Sequence, residues 1–213
     1  MKYKIDFDSL LPSKIISSFS KNIRVGKADI HIHSNVSDAK PSIEEILEYV
    51  QYKTDLDVIS ITDHDTIDGA VKAKDIAIKK KYRFDVIIGE EISCIEGHVL
   101  GLFLNSAIKA GQSLISTLQE IKKQGGIAIS SHPFYRSKLR SNNMIVMDGL
   151  GANELIKNHH NIDGVETVNA TPTLFDENIA ATLLNRTILF CAETGSSDAH
   201  ILEAIGKGYT AFE

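Results

Sequence analysis

The stretch Ala28 to Asp38, reading A-D-I-H-I-H-S-N-V-S-D, carries two histidines two residues apart in a run of strand type. Residues i and i+2 of a strand share a face, so His31 and His33 leave the backbone side by side. Neutral imidazole is the commonest protein metal ligand, and two on one face make half of a binding site. Asp38 follows past a turn-like S-N-V-S. Further along stand His64 in T-D-H-D-T, Glu90 in I-I-G-E-E-I-S and His98 in G-H-V-L-G-L-F. His132 follows in S-S-H-P, and Asp198 and His200 in S-S-D-A-H. All are imidazoles or carboxylates, the ligand types of zinc, manganese or iron. Six of the eight histidines belong to this set, and it contains no thiolate, which disfavours a structural zinc ribbon.

Other polar residues stand close by. Glu91 follows Glu90 directly and is expected to point the other way, in a structural role. Burial of Glu90 in an apolar strand is costly unless it is paired or metal-bound. Asp63 and Asp65 read as caps or as carboxylates that orient histidines. Arg136, Lys138 and Arg140 lie just past His132; a phosphate clamp and a plain surface loop fit them equally. Asn169 follows a strand and is a candidate substrate contact. His159 and His160 read as a solvated pair.

Positioning these groups requires a scaffold of alternating elements. Short apolar strands are expected at 28–33, 58–62, 86–93, 98–104, 127–131, 164–168 and 188–193, with a last one at 208–212. Helices are expected at 42–53, 67–81, 113–123, 153–158 and 176–185. Ser42 with Glu45 three residues on is a capping box, and Gly125-Gly126 closes the third helix. Residues 135–147 are polar and basic, hence a loop or excursion. Strands alternating with helices imply parallel βαβ units, and about seven strands with polar termini suggest a barrel more than an open sheet. Barrel active sites form where the C-terminal strand ends converge, and the candidate ligands fall at such ends. No G-x-G-x-x-G or G-x-x-x-x-G-K-[ST] loop is present, so a Rossmann or P-loop site is not expected.

The chain has 213 residues, 43% hydrophobic and 24% charged, enough for one sizeable core and one domain. We read 1–26 as a helical extension, apolar at Leu10, Leu11, Ile15, Ile16 and Phe19, and 133–161 as an excursion over the site. The net charge of -5 argues against long duplex nucleic acid as a partner but not against nucleotides or short oligonucleotides. Two or three divalent ions would add roughly +4 to +6 locally and reverse the sign of the pocket. No apolar run reaches the ~18 residues needed to span a bilayer, and the N-terminus lacks a signal-peptide pattern. A cytoplasmic location is expected, with Cys94 and Cys191 as reduced thiols.

The motifs H-I-H-S-N-V-S-D, I-T-D-H-D-T-I-D-G-A, I-I-G-E-E-I-S, G-H-V-L-G-L-F, S-H-P and S-S-D-A-H, in that order, resemble those of the PHP (polymerase and histidinol phosphatase) family, from about Lys27 to the C-terminus. Within it the chain resembles the short stand-alone phosphoesterases. The resemblance implies a distorted (β/α)7 barrel with two or three divalent ions (Zn, Mn or Fe). It also implies that His31, His33, Glu90 and Asp198 hold one ion, Glu90, His98 and His132 a second, and Asp38, His64 and His200 a third. Ala39 stands where the family often has Gly, and some members have His at the position of Asp38.

The expected reaction is hydrolysis of a phosphoester by a hydroxide shared between two ions about 3.5–4 Å apart. Glu90 would bridge them, Asp198 would complete the set, and His200 or a metal-bound water would protonate the leaving group. Nucleotides, short oligonucleotides or other small phosphorylated metabolites are the expected substrates. Two alternatives stand beside this reading: a hydrolase using the same ions on a non-phosphate substrate such as an amide, and a non-catalytic metal- or nucleotide-binding module.

Overall fold

A computed structural model describes residues 25–138 and 145–213; all but the last two residues of the helical extension expected over 1–26 lie outside them. The strands are β1 (Gly26–Ile32), β2 (Val58–Ile61), β3 (Asp85–Ser93), β4 (His98–Leu102), β5 (Ile127–Ser130), β6 (Arg136–Lys138), β7 (Ile145–Met147), β8 (Gly164–Asn169), β9 (Ala192–Ser196) and β10 (Thr210–Phe212). The helices are α1 (Ile43–Lys53), α2 (Asp68–Lys80), α3 (Leu114–Lys123), α4 (Gly151–Asn158) and α5 (Phe175–Leu184).

Eight strands form one sheet in the order β10-β1-β2-β3-β4-β5-β8-β9, curled into a nearly closed α/β barrel. β1, β2 and β3 pair in parallel, as do β5, β8 and β9. β4 runs antiparallel to both its neighbours, which the expectation of uniform βαβ units missed. A short turn through Glu96-Gly97 makes β3 and β4 a hairpin and leaves no room for a crossover helix. Reversal brings the start of β4, with His98, to the mouth where the other strands end. The seam between β9 and β1 is closed sparingly: His33 N–H donates to Ala199 O at 3.0 Å and Ala199 N–H to His31 O at 3.4 Å. The buried Asp29 carboxylate adds bonds from the N–H groups of Ser197 (3.0 Å) and Gly206 (2.8 Å).

Local sequence explains the elements. Ser42 and Glu45 form the expected reciprocal cap on α1, whose Ile43, Ile46, Leu47 and Val50 are buried at helical spacing. With α2 they cover the outer face of β1 to β3, while α3 sets Leu114, Leu118 and Ile121 against Ile92 and Val99. Ala28, Ile30, Leu100, Leu102 and Ile129 fill the barrel interior. A bulge in β1 sets Ile30 and His31 together opposite Ser60.

Two further expectations are corrected. The strand expected at 188–193 begins at Ala192, because Asn185–Leu189 continues α5 as a π turn. Phe190 then adopts φ 56°, and the Asn185 side chain pairs with both backbone groups of Cys191 at 3.0 Å. The loop expected at 135–147 contains the hairpin β6–β7. Cys94 and Cys191 are free thiols. No helix among the described residues is long and apolar enough to cross a membrane.

Candidate metal centre

His31 near the end of β1 and His33 just past it hold their Nε2 atoms 3.0 Å apart. Two nitrogens this close, each turned to the same point, want a cation between them. Glu91 Oε2 stands 3.2 Å from both, and Asp198 Oδ1 3.4 Å from both. Edges of 3.0–3.4 Å match the roughly 3.3 Å edge of a tetrahedron whose ligands lie about 2.0–2.1 Å from zinc. These four side chains fit a divalent ion.

The carboxylate at the centre is Glu91, where the sequence reading had put Glu90. Its second oxygen, Oε1, lies 2.9 Å from His132 Nε2 and 3.2 Å from His98 Nδ1, and accepts the Ser131 hydroxyl at 3.0 Å. Glu91 therefore turns one oxygen to each of two donor sets. Glu90 points outward with Val86, Ile88 and Ile92, away from the cluster. Its Oε2 accepts the Ile108 N–H at 2.9 Å, its Oε1 is buried without a partner, and burial pushes its carboxyl up to about 7.

A third set gathers at the rim. Asp38 Oδ2 lies 3.4 Å from His200 Nε2 and 3.8 Å from His64 Nε2. Its side chain is 54% exposed, against 0% for His31 and His33. All eight expected ligands other than Glu90 thus meet at one mouth. Asp63 fixes the turn that carries Asp38: its carboxylate accepts Ser34 N–H, Ser34 Oγ and Ser37 Oγ, each at 2.7 Å. Asp65 accepts the Ser93 N–H at 2.7 Å.

Behind the donors lies Glu166, which sequence reasoning had not assigned. Fully buried, it accepts His31 Nδ1–H at 3.0 Å, His132 N–H at 2.7 Å, Asn169 Nδ2 at 2.9 Å and the Ser196 hydroxyl. With Nδ1 protonated by this bond, His31 presents a lone pair at Nε2. The signal for it was a glutamate two residues into a strand, between Val165 and Thr167. Glu166→Gln should weaken divalent-ion binding by about 10- to 100-fold without unfolding the protein. Competition against a chromogenic chelator measures this.

Electrostatics agree with a site built for cations. Burial opposes charge on His31 and His33, yet the surrounding carboxylates raise both, His33 to about 9. Burial likewise opposes charge on Glu91 and Asp198, yet His31 and its neighbours hold both well below the usual carboxylate range. His64 is lowered, chiefly by burial. His132 and Asp198 sit at φ 24° and 51°, positions that cost non-glycine residues of order 1–3 kcal/mol and that mark functional sites.

Of the expected substrate contacts, Asn169 and Arg136 lie among the described side chains, and neither lines the cavity. Asn169 is buried, with Nδ2 on Glu166 and on Asp198 Oδ2 (3.1 Å) and Oδ1 on Thr171 N–H, so it positions Asp198 from behind. Arg136 is exposed and lines no part of the cavity above the cluster. Arg140 and the side chain of Lys138 lie outside the described residues. His159 and His160 pack on each other, remote from the site.

Comparison with known proteins places this geometry. An uncharacterized protein of Methanocaldococcus jannaschii is 42% identical over 119 residues, 51% of this chain and 68% of that protein. An amidohydrolase from Chromobacterium violaceum, solved with bound sulfate and no metal, shares the fold with a TM-score of 0.65 at 17% identity, covering 87% of this chain and 91% of that one. So does a two-domain protein from Bacteroides vulgatus that contains a predicted PHP-like metal-dependent phosphoesterase, with a TM-score of 0.60 at 21% identity. The match covers 83% of this chain and 52% of that protein, about half its length. The PHP domain model matches residues 29–208, and the chain belongs to the PHP domain family.

Proposed function

We propose that this chain is a metal-dependent phosphoesterase acting on small phosphorylated molecules. The observation that carries the reading is Glu91, whose two oxygens each head a separate donor set. His31, His33, Glu91 Oε2 and Asp198 would hold one ion; Glu91 Oε1, His98 and His132 a second; Asp38, His64 and His200 a third. Such ions supply Lewis acidity: they acidify water and neutralise charge on phosphoryl oxygens. The protein's part is to hold the ligands rigid, with Glu166 and Asn169 fixing His31, His132 and Asp198 from behind. His200, 40% exposed at the rim, has Nδ1 3.0 Å from the Asp198 carbonyl, which turns Nε2 toward the third set; it would protonate the leaving alkoxide only where that set holds no ion, and a water would do so otherwise.

The cavity above the cluster holds about 370 Å³, at the small end of ligand sites, which run from about 300 to 1,000 Å³. That volume supports small monoesters over oligonucleotides. The sulfate in the Chromobacterium neighbour is a tetrahedral oxyanion, as phosphate is. That neighbour's description as an amidohydrolase favours an amide substrate as the second reading. The two free cysteines suit the cytoplasm, where thiols stay reduced.

Protein freed of metal and reloaded with zinc, manganese or iron should hydrolyse phosphomonoesters faster than phosphodiesters or amides, and lose the activity in chelator. Turnover of the amide alone would favour the second reading. Metal binding without turnover of any substrate would leave a binding module.

A further inference from the structure

The cavity has two ends. Its floor is the donor cluster. Among the described residues its remaining walls are Tyr135, Asp148, Thr171 and Leu174. These four must face whatever alcohol the phosphate is attached to, and Asp148 is the one ionisable carboxylate among them. Resting on the phosphoesterase reading, we propose that Asp148 is the specificity-determining residue of this site. It restricts the site to monoesters whose alcohol bears no second phosphate.

The carboxylate is held there by the backbone around it. Asp148 N–H donates to Tyr135 O at 3.2 Å, and Asp148 O accepts the His98 N–H at 2.7 Å. Gly149 N–H also reaches Tyr135 O at 3.1 Å, and Gly151 N–H reaches Pro133 O at 2.8 Å. A Cβ on Gly149 would stand 2.3 Å from Pro133 O and 2.4 Å from His132 O, and one on Gly97 2.8 Å from Gly149 C. Residue 148 is thus wedged between the turns that carry His98 and His132, and cannot swing away without disturbing them. Tyr135 packs edge-on to the His132 ring, centroids 5.5 Å apart, beside it.

A floor of divalent ions attracts every phosphate alike, so it cannot tell a monophosphate from a bisphosphate. Discrimination needs a repulsive element. Asp148 supplies one: in so small a cavity a second phosphate meets like charge with little water to screen it. Neutral or cationic alcohols meet no such charge, and the Tyr135 ring and Leu174 give them apolar wall.

Full-length, manganese-loaded protein tests this with two pairs of probes. One is fructose 6-phosphate against fructose 1,6-bisphosphate, read as kcat/KM. The other is inorganic phosphate against pyrophosphate, read as Kd by calorimetry, which needs no turnover. Asp148→Asn should shift both ratios about tenfold toward the more phosphorylated member, with metal content unchanged. Asp148→Glu should keep the wild-type ratios. Asp148→Ser serves in place of Asp148→Asn if that variant does not fold. Ratios within twofold of wild type in the neutral variants, or a wild type that prefers the bisphosphate, overturn the proposal. A tenfold shift in the phosphate–pyrophosphate ratio without hydrolysis of any ester upholds Asp148 and sinks the phosphoesterase reading instead.

Discussion

Replacing Glu91 by Gln should strip the protein of divalent ions and lower phosphomonoester turnover by at least about 10²–10³-fold. The amide keeps the shape but loses the charge, and its nitrogen cannot act as a ligand toward one of the two donor sets. Glu90→Gln is the control one residue away. Burial already pushes the Glu90 carboxyl up to about 7, and a glutamine there still offers an oxygen to the Ile108 N–H. Metal content and kcat/KM of Glu90→Gln should stay within about twofold of wild type, with stability equal or higher. Elemental analysis with steady-state kinetics on both variants decides the matter. Equal loss in the two would return the bridging role to Glu90.

Chelated protein should lose stability steeply between pH 6.5 and 9.5, and metal-loaded protein should not. His33 is raised from 6.5 to about 9 in the folded state. A group so raised contributes stability that is fully present below pH 6.5 and is lost as pH rises through about 9. Glu91 and Asp198 are depressed, so their contribution is present above the ordinary carboxylate range and lost as pH falls through their folded values. The chelated form should therefore be most stable between about pH 5 and 6.5. His33 alone accounts for a loss of about 3 kcal/mol by pH 9.5, at 1.36 kcal/mol per pKa unit. Bound ions replace the protons, and at a thousandfold excess over Kd add about 4 kcal/mol. Thermal melts across this range with and without chelator measure both slopes; parallel slopes would contradict the assignment.

Much of the centre was readable from residue type and order, because imidazoles ending short apolar strands have few other uses. The error at Glu90 was one of parity. Val86, Ile88 and Ile92 share alternation with Glu90 and pack toward the helices, whereas Ile87 and Gly89 share it with Glu91 and face inward. Nothing in I-I-G-E-E-I-S alone says which face is inner until the neighbouring strands are placed. The direction of β4 was legible in the short Glu96-Gly97 turn before it, which the general reading as parallel βαβ units did not use. The late start of β9 turned on a helix overrunning its apolar end, which a run such as I-L-F-C-A cannot signal. Glu166 was given no role because His31, His132 and Ser196, which it joins, lie far away in sequence.

The sparse join between β9 and β1 gives the first donor set a mechanical meaning. His31 and His33 stand on one lip of that join and Asp198 on the other, so an ion seated among them works as a clasp. Its removal should let the amide protons of His33 and Ala199 exchange with solvent faster than those elsewhere in the sheet, and its return should fasten the cylinder again.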